Sequence, residues 1–170
     1  MRKILLAIMF PFLMLSCVDF ETQTDVSKKL SIDVPKDWVI DKKGNEFISI
    51  TTFSDTTANF KDRLVFDISW ESDKMELTAE NTKSIDSLIV SKGWLPKNQN
   101  LRNMNGFEGY YYDIIGYDSI GKFKFATNNR YLNKKGKEGT IFFLVTRYKE
   151  KLSAKDSVLV ERIFKTLERK

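Results

Sequence analysis

The chain has 170 residues, of which 42% are hydrophobic and 30% charged, with 28 Lys and Arg against 23 Asp and Glu for a net charge of +5. It contains no histidine and one cysteine, which excludes Ser-His-Asp, Cys-His and His-based zinc chemistry, and any disulfide within the chain. The balance of apolar and charged residues is that of an ordinary globular protein.

The first segment reads as an export signal. Met1-Arg2-Lys3 is basic, Ile4 to Leu15 is an apolar run of 12 residues interrupted by Pro11, and Ser16 is small. A run of this length is too short to cross a hydrocarbon core of about 30 Å as a helix. The single cysteine, Cys17, follows directly. Leu15-Ser16-Cys17 resembles the lipobox of bacterial lipoproteins, with Met14 where that pattern usually carries Leu. The resemblance implies that residues 1–16 are removed and that Cys17 is acylated and becomes the new N-terminus. It also implies that the chain is held to a membrane by its lipid. The expected location is the bacterial cell envelope, at the outer membrane facing the periplasm. The acidic residues Asp19, Glu21 and Asp25 are equally compatible with display at the surface.

Residues 17–170 number 154, a size typical of one domain, and carry a net charge of +3. Residues 17–28 are polar and without period, so they read as a lipidated tether, and residues 29–170 read as a single domain. Lys29 to Val34 alternates around Leu30, Ile32 and Val34, and Pro35 ends the strand. Trp38-Val39-Ile40 is followed by the turn Asp41-Lys42-Lys43-Gly44-Asn45. Phe47 to Phe53 alternates, and Leu64, Phe66, Ile68 and Trp70 give the clearest period of two in the chain. Over 78–92 the period changes. Ile85, Leu88 and Ile89 lie at i, i+3, i+4 with Gly93 beyond, which predicts an amphipathic helix with a glycine stop. Leu101 to Met104 and Phe107 to Ile115 flank Asn105-Gly106, which suits a type I′ hairpin turn. Asp118-Ser119-Ile120-Gly121 and Lys134 to Gly139 close two further hairpins. The strand between Thr140 and Arg147 is apolar throughout Ile141 to Val145, so burial on both sides is expected. Ser153 and Asp156 form a capping box for a last helix with the stripe Val160, Ile163, Phe164 and Leu167. The sum is α+β: an antiparallel β-sheet with helices flanking both faces.

Ser31-Ile32-Asp33-Val34-Pro35-Lys36-Asp37-Trp38 resembles the opening of PsbP-like proteins, an apolar strand followed by Pro-x-x-Trp. The mid-chain helix, the Asn105-Gly106 … Gly109-Tyr110-Tyr111-Tyr112 strand, the meander and the closing Ile163-Phe164-Lys165-Thr166-Leu167 also fit. The resemblance covers Leu30 to Leu167. It implies a PsbP-like α/β/α sandwich and brings no catalytic residues, and the photosystem role of the extrinsic PsbP protein does not transfer with the fold.

No cofactor or metal site is expected. Gly136-Lys137 lacks the strand and helix context of a phosphate loop, and Asp41 to Glu46 lacks the ligand spacing of a calcium loop. Tyr110, Tyr111 and Tyr112 alternate sides of a strand and read as packing. The function expected is that of a non-catalytic binding or accessory module. The alternative is an envelope enzyme working through carboxylates and tyrosines. Charge suggests a partner. Residues 17–121 carry 12 Lys and Arg against 18 Asp and Glu, and residues 122–170 carry 14 against 5. Lys122, Lys124 and Arg130 share one strand parity, and Lys134, Lys135 and Lys137 crowd the next turn. Together they are the candidate patch for an anionic envelope partner or protein complex, beside the membrane that the lipid would engage. Nucleic acid is not an expected partner of an exported, tethered protein. The bland reading is that acids such as Asp67, Glu71 and Asp113 neutralise the patch.

Overall fold

A computed structural model describes residues 18–170 of the protein, so the leader and Cys17 lie outside the described residues. In chain order the elements are β1 (Phe20–Thr24), β2 (Leu30–Pro35), β3 (Val39–Gly44), β4 (Ile48–Ser54), a one-turn 3₁₀ helix (Phe60–Asp62), β5 (Leu64–Glu71), α1 (Ala79–Ser91), β6 (Leu95–Met104), β7 (Phe107–Asp118), β8 (Phe123–Lys134), β9 (Thr140–Arg147), α2 (Ala154–Lys165) and β10 (Glu168–Arg169). They form a seven-stranded sheet in the order β3-β4-β5-β9-β8-β7-β6 and a three-stranded sheet in the order β1-β2-β10. Every pairing is antiparallel. The fold is therefore α+β and mainly antiparallel sheet.

Local signals account for most elements. Thr78 caps α1 by accepting from the Asn81 amide, and the helix stops before Gly93, whose φ of 79° few other residues adopt. Asn105 and Gly106 both have positive φ, 54° and 73°, as a type I′ turn requires. The Ser153–Asp156 capping box closes in both directions at the start of α2.

Two hydrophobic clusters hold the layers. In the first, Leu30, Ile32 and Val34 of β2 and Val160, Ile163 and Phe164 of α2 meet Phe66, Ile68, Phe143, Val145, Leu132 and Tyr111 of the large sheet. In the second, Ile89 and Ile85 of α1 meet Tyr110, Tyr112, Ile114, Phe125 and Tyr131. Consecutive residues of β7 thus point into different clusters, as a pleated strand demands.

Four expectations change. Phe20 to Thr24, read as tether, is a strand paired with β2 through Phe20↔Pro35 to Thr24↔Ser31. Its Phe-Glu-Thr-Gln-Thr sequence is too polar to announce itself, because an outer strand of a small sheet needs little apolar surface. The turn read at Asp41 to Asn45 is mostly β3, paired with β4 as far as Gly44↔Ser49. Leu88 is 59% exposed, since Thr82, Ile89 and, in part, Ile85 are the residues that turn inward from α1. In β9, Ile141, Phe143 and Val145 are buried but Phe142 and Leu144 are only half-buried.

Candidate functional site

The sheet register decides where the expected basic residues go. Val39↔Ser54, Ser54↔Val65, Val65↔Thr146, Thr127↔Thr146 and Ile114↔Thr127 form one row across the sheet. Beyond this row lie the start of β8, the ends of β7 and β9, and the loops 55–63, 119–122 and 148–153. Lys122 and Lys124 belong to this end. Lys134, Lys135 and Lys137 belong to the opposite end, because β8 has 12 residues and spans about 36 Å at some 3.3 Å per residue. The six expected residues therefore do not form one patch.

Arg130 leaves the patch for a second reason. Its side chain is 2% exposed and pairs with Glu161 of α2 at 2.5 Å. The guanidinium lies 4.1 Å from the Phe164 ring centre and 5.2 Å from that of Phe143. Strand parity groups it with Lys124, but this side of β8 is the one on which α2 packs. Glu161 and the aromatic rings are what allow a cation there. Lys134 is likewise engaged, its Nζ 4.9 Å from the Phe107 ring centre.

Lys122 and Lys124 do join a site that the sequence did not assemble. A groove of about 610 Å³ at this end of the sheet is lined by Lys61, Lys122, Lys124, Arg147, Lys149 and Lys151, one acid, Glu150, and Tyr117, Phe123, Tyr148 and Ser153. Phe60, Phe123 and Tyr148 form an aromatic triangle beside it. Phe60 stacks on Tyr148 with centres 4.2 Å apart, and Phe123 meets both edge-on at 5.3 and 5.2 Å. Three cations are committed: Lys124 pairs with Glu150, Lys149 with Asp62, and Arg147 with Asp156 at 2.7 Å and Asp62 at 3.4 Å. The Lys149 hydrogen bond holds the Asp62 carboxyl below its ordinary range, and that of Lys124 does the same for Glu150. Among the described residues Lys61, Lys122 and Lys151 have no acid within ion-pair distance. Three free lysines beside an aromatic triangle can receive an anion with apolar parts.

The bland alternative holds in part: Asp62, an acid of the 17–121 half, pairs with Lys149 and Arg147 at this groove, whereas Asp67, Glu71 and Asp113 do not line it. Asp67 accepts from Thr52, and Asp113 from Asn98 and Asn128. The nearer Asp118 accepts from the Ile120 and Gly121 amides of its own turn.

Two smaller cavities share Tyr131 and Phe142, and the larger of them opens beside α1. One of about 400 Å³ is lined by Ile85, Trp94, Ile114, Phe125, Tyr112 and Tyr131 among others, and one of about 260 Å³ by Glu71, Asp73, Tyr131 and Phe142 among others. Tyr110 donates to Asp86 at 2.5 Å, and burial is the first cause raising the pKa of Tyr110, Tyr112 and Tyr131. These phenols are held protonated and act as packing and donors. Among the described residues no cluster of three or more His, Cys, Asp or Glu could hold a metal ion. No helix among them is long and apolar enough to cross a membrane.

No family model matches the chain, and no curated protein does. Solved structures match in fold. One is a protein of Bacteroides thetaiotaomicron VPI-5482, at 15% identity and a TM-score of 0.55 over 88% of this chain. This chain spans about half of that protein, 48% of its length. PA94 of Pseudomonas aeruginosa, a protein of unknown function described as a putative regulator, matches at 10% identity and a TM-score of 0.53, covering 89% of this chain and 97% of its own. The Ran-binding protein Mog1p of Saccharomyces cerevisiae matches at 8% identity and a TM-score of 0.54, covering 89% and 96%. At such identities the likeness is one of fold.

Proposed function

We propose that the protein is a lipid-anchored, non-catalytic binding module of a bacterial cell envelope, with the groove beside Phe60, Phe123 and Tyr148 as the place where an anionic partner sits. The finer architecture that goes with this reading is the PsbP-like sandwich, α2 on one face of the large sheet and α1 on the other. The anchor is supported by the basic and apolar leader ending in Leu15-Ser16-Cys17. The observation that carries the binding reading is the convergence of six cations around a groove of about 610 Å³, three of them paired with Glu150, Asp62 and Asp156 and three, Lys61, Lys122 and Lys151, without an acid in ion-pair distance among the described residues. Among the described residues, the carboxylates whose pKa moves, Asp25, Asp62 and Glu150, all move down, away from general-acid duty. The carboxylate-enzyme alternative keeps one foothold, the cavity where Glu71, Asp73 and Tyr131 meet. Regulation and Ran binding belong to the fold neighbours and lend nothing specific to this groove.

Two measurements test the reading. Labelled palmitate should enter the wild-type protein and not Cys17→Ser, which should accumulate as precursor; normal processing of that variant would remove the anchor. A pull-down of the tagged protein from its native envelope should lose its partner between 0.01 and 0.15 M salt, as the Debye length falls from about 30 to about 8 Å. It should also lose it in Lys61/Lys122/Lys151→Glu, which breaks no ion pair, and keep it in Lys134/Lys135/Lys137→Glu. A partner indifferent to salt and to the first triple variant would refute the groove.

A further inference from the structure

The β7–β8 hairpin carries an apolar residue that the fold does not use. Ile120 is 94% exposed at its tip, with Tyr117 at 54% and Phe60 at 47% behind it. The tip is built rather than slack. The Asp118 carboxylate accepts from the Ile120 and Gly121 amides at 2.9 and 2.6 Å, and Lys122 closes the turn with a φ of 55°. Lys122 follows this apex in the turn, and Lys61 and Lys151, also free, line the groove beside Tyr117 and Lys122. An apolar point, a band of aromatic rings and a ring of cations is the order of groups met on passing out of a bilayer through its interface.

The path of the chain adds a second, independent observation. The Trp38 amide donates to the Pro35 carbonyl at 3.2 Å, so β2 ends where β3 begins, at the row containing Val39. The Lys36 amide donates to the Asp19 carbonyl at 3.0 Å, which fixes the start of β1 at the same place. The described chain therefore leaves the fold at the sheet end that bears the hairpin tip. From Phe20 back to Cys17 is three residues, a reach of about 10 Å when extended. The hairpin runs from Ile114 in that row to Asp118, about 13 Å. The tip stands farther out than this reach, and what the two share is an end of the sheet: the chain toward Cys17 leaves on the side of the hairpin tip.

From these two observations we infer that the anionic partner of the groove is the membrane itself: the sheet end formed by Ile120, Tyr117, Phe60, Lys61, Lys122 and Lys151 docks on an anionic phospholipid surface. This rests on the groove reading and, for the choice of a membrane over a protein, on the proposed anchor at Cys17. Docking presents the opposite end of the sheet, with Lys134, Lys135 and Lys137, away from the bilayer. An acidic protein would satisfy the lysines, but it gives no reason for the chain toward Cys17 and the apolar tip to share one end.

The test uses the full-length protein carrying Ile120→Trp, purified from envelopes and mixed with vesicles whose acyl chains are brominated. The emission added by the new indole should be quenched on phosphatidylglycerol vesicles and not on phosphatidylcholine vesicles. Quenching should be lost in Lys61/Lys122/Lys151→Glu and kept in Lys134/Lys135/Lys137→Glu. An indole unquenched on phosphatidylglycerol overturns the inference. So does quenching equal on both lipids, which would be insertion without charge recognition. If the groove lysines still govern the pull-down while the indole stays unquenched, the partner is an acidic protein and the membrane inference is wrong. The mass of the N-terminal peptide reads acylation separately, so a quenched tip on an unacylated chain removes the anchor and leaves the docking intact.

Discussion

Arg130 is the most consequential charge in the core, and removing its partner should reveal this. Its side chain is 2% exposed, whereas Glu161 is 43% exposed. Nε donates to Asn128 at 2.9 Å, Nη2 donates to Glu161, and Nη1 has no hydrogen-bond partner among the described residues. Burial lowers the pKa of the guanidinium, and the charge of Glu161 is the largest opposing influence. Breaking a fully buried pair by removing one member costs about 3–5 kcal/mol. An exposed pair is worth about 0–1 kcal/mol. Glu161 is half open to water, so Glu161→Gln should fall between these limits, near 2 kcal/mol lost, or a Tm lower by about 4–8 °C for a domain of this size. Arg130→Met/Glu161→Gln replaces the buried charge with an apolar chain of similar length. It should return to within about 1 kcal/mol of wild type, because an apolar replacement of a buried pair is often neutral or better. Urea unfolding reads both as shifts of midpoint at unchanged slope. Equal loss in the single and the double variant, with no coupling between the sites, would refute the claim that Glu161 is there to compensate Arg130.

The other predictions use the same assay. Phe164 is fully buried between Phe107 and Phe143, so Phe164→Ala should cost about 3–5 kcal/mol, while Leu88→Ala on the exposed side of α1 should stay within about 0.5 kcal/mol; similar losses would mean that α2 is not part of the core. The buried Asp25 is pushed up in pKa by burial, but hydrogen bonds from Ser27, Ser49 at 2.5 Å and the Leu30 amide at 2.8 Å outweigh this and hold it below the ordinary range. A depressed carboxylate stabilises above its unfolded pKa of about 3.9 and loses that contribution as pH falls through the folded value. Asp25→Asn should therefore be less stable at pH 7 and show a flatter decline below about pH 4; an unchanged acid limb would show that Asp25 contributes no linkage.

What the sequence revealed follows from the range of each interaction. The capping box of α2, the Asn105-Gly106 turn and the alternation of β5 are settled within a few residues, and each appears as read. The small sheet is different: β10 meets β2 through Glu168↔Ser31 and Arg169↔Leu30, and two residues have no period to read. The candidate groove was half legible. Lys122 and Lys124 were found by charge, but Lys61, Lys149, Lys151 and the ring of Phe60 come from other loops, which only the pairing of β5, β9 and β8 brings together. Grouping Lys122 with Lys137 treated closeness along an extended strand as closeness in space. The burial of Arg130 depends on which side of β8 receives a helix from elsewhere in the chain, and parity alone leaves that side open.

The union of β2 with β10 also sets an order of events. Arg169 donates to the carbonyls of Lys29 and Glu138 and lies over Trp70 at 5.0 Å, and the Lys170 amide donates to Lys29 at 2.8 Å. Leu30, Ile32 and Val34 have only β1 as a local partner; their buried side belongs to α2 and to strands far along the chain. During synthesis this hairpin waits, with its apolar side uncovered until α2 has emerged and its free edge unpaired until residue 169 has. Contacts of such long sequence separation make folding slow. The export that the proposed anchor requires would use this delay, because a channel passes only a thread that is still open.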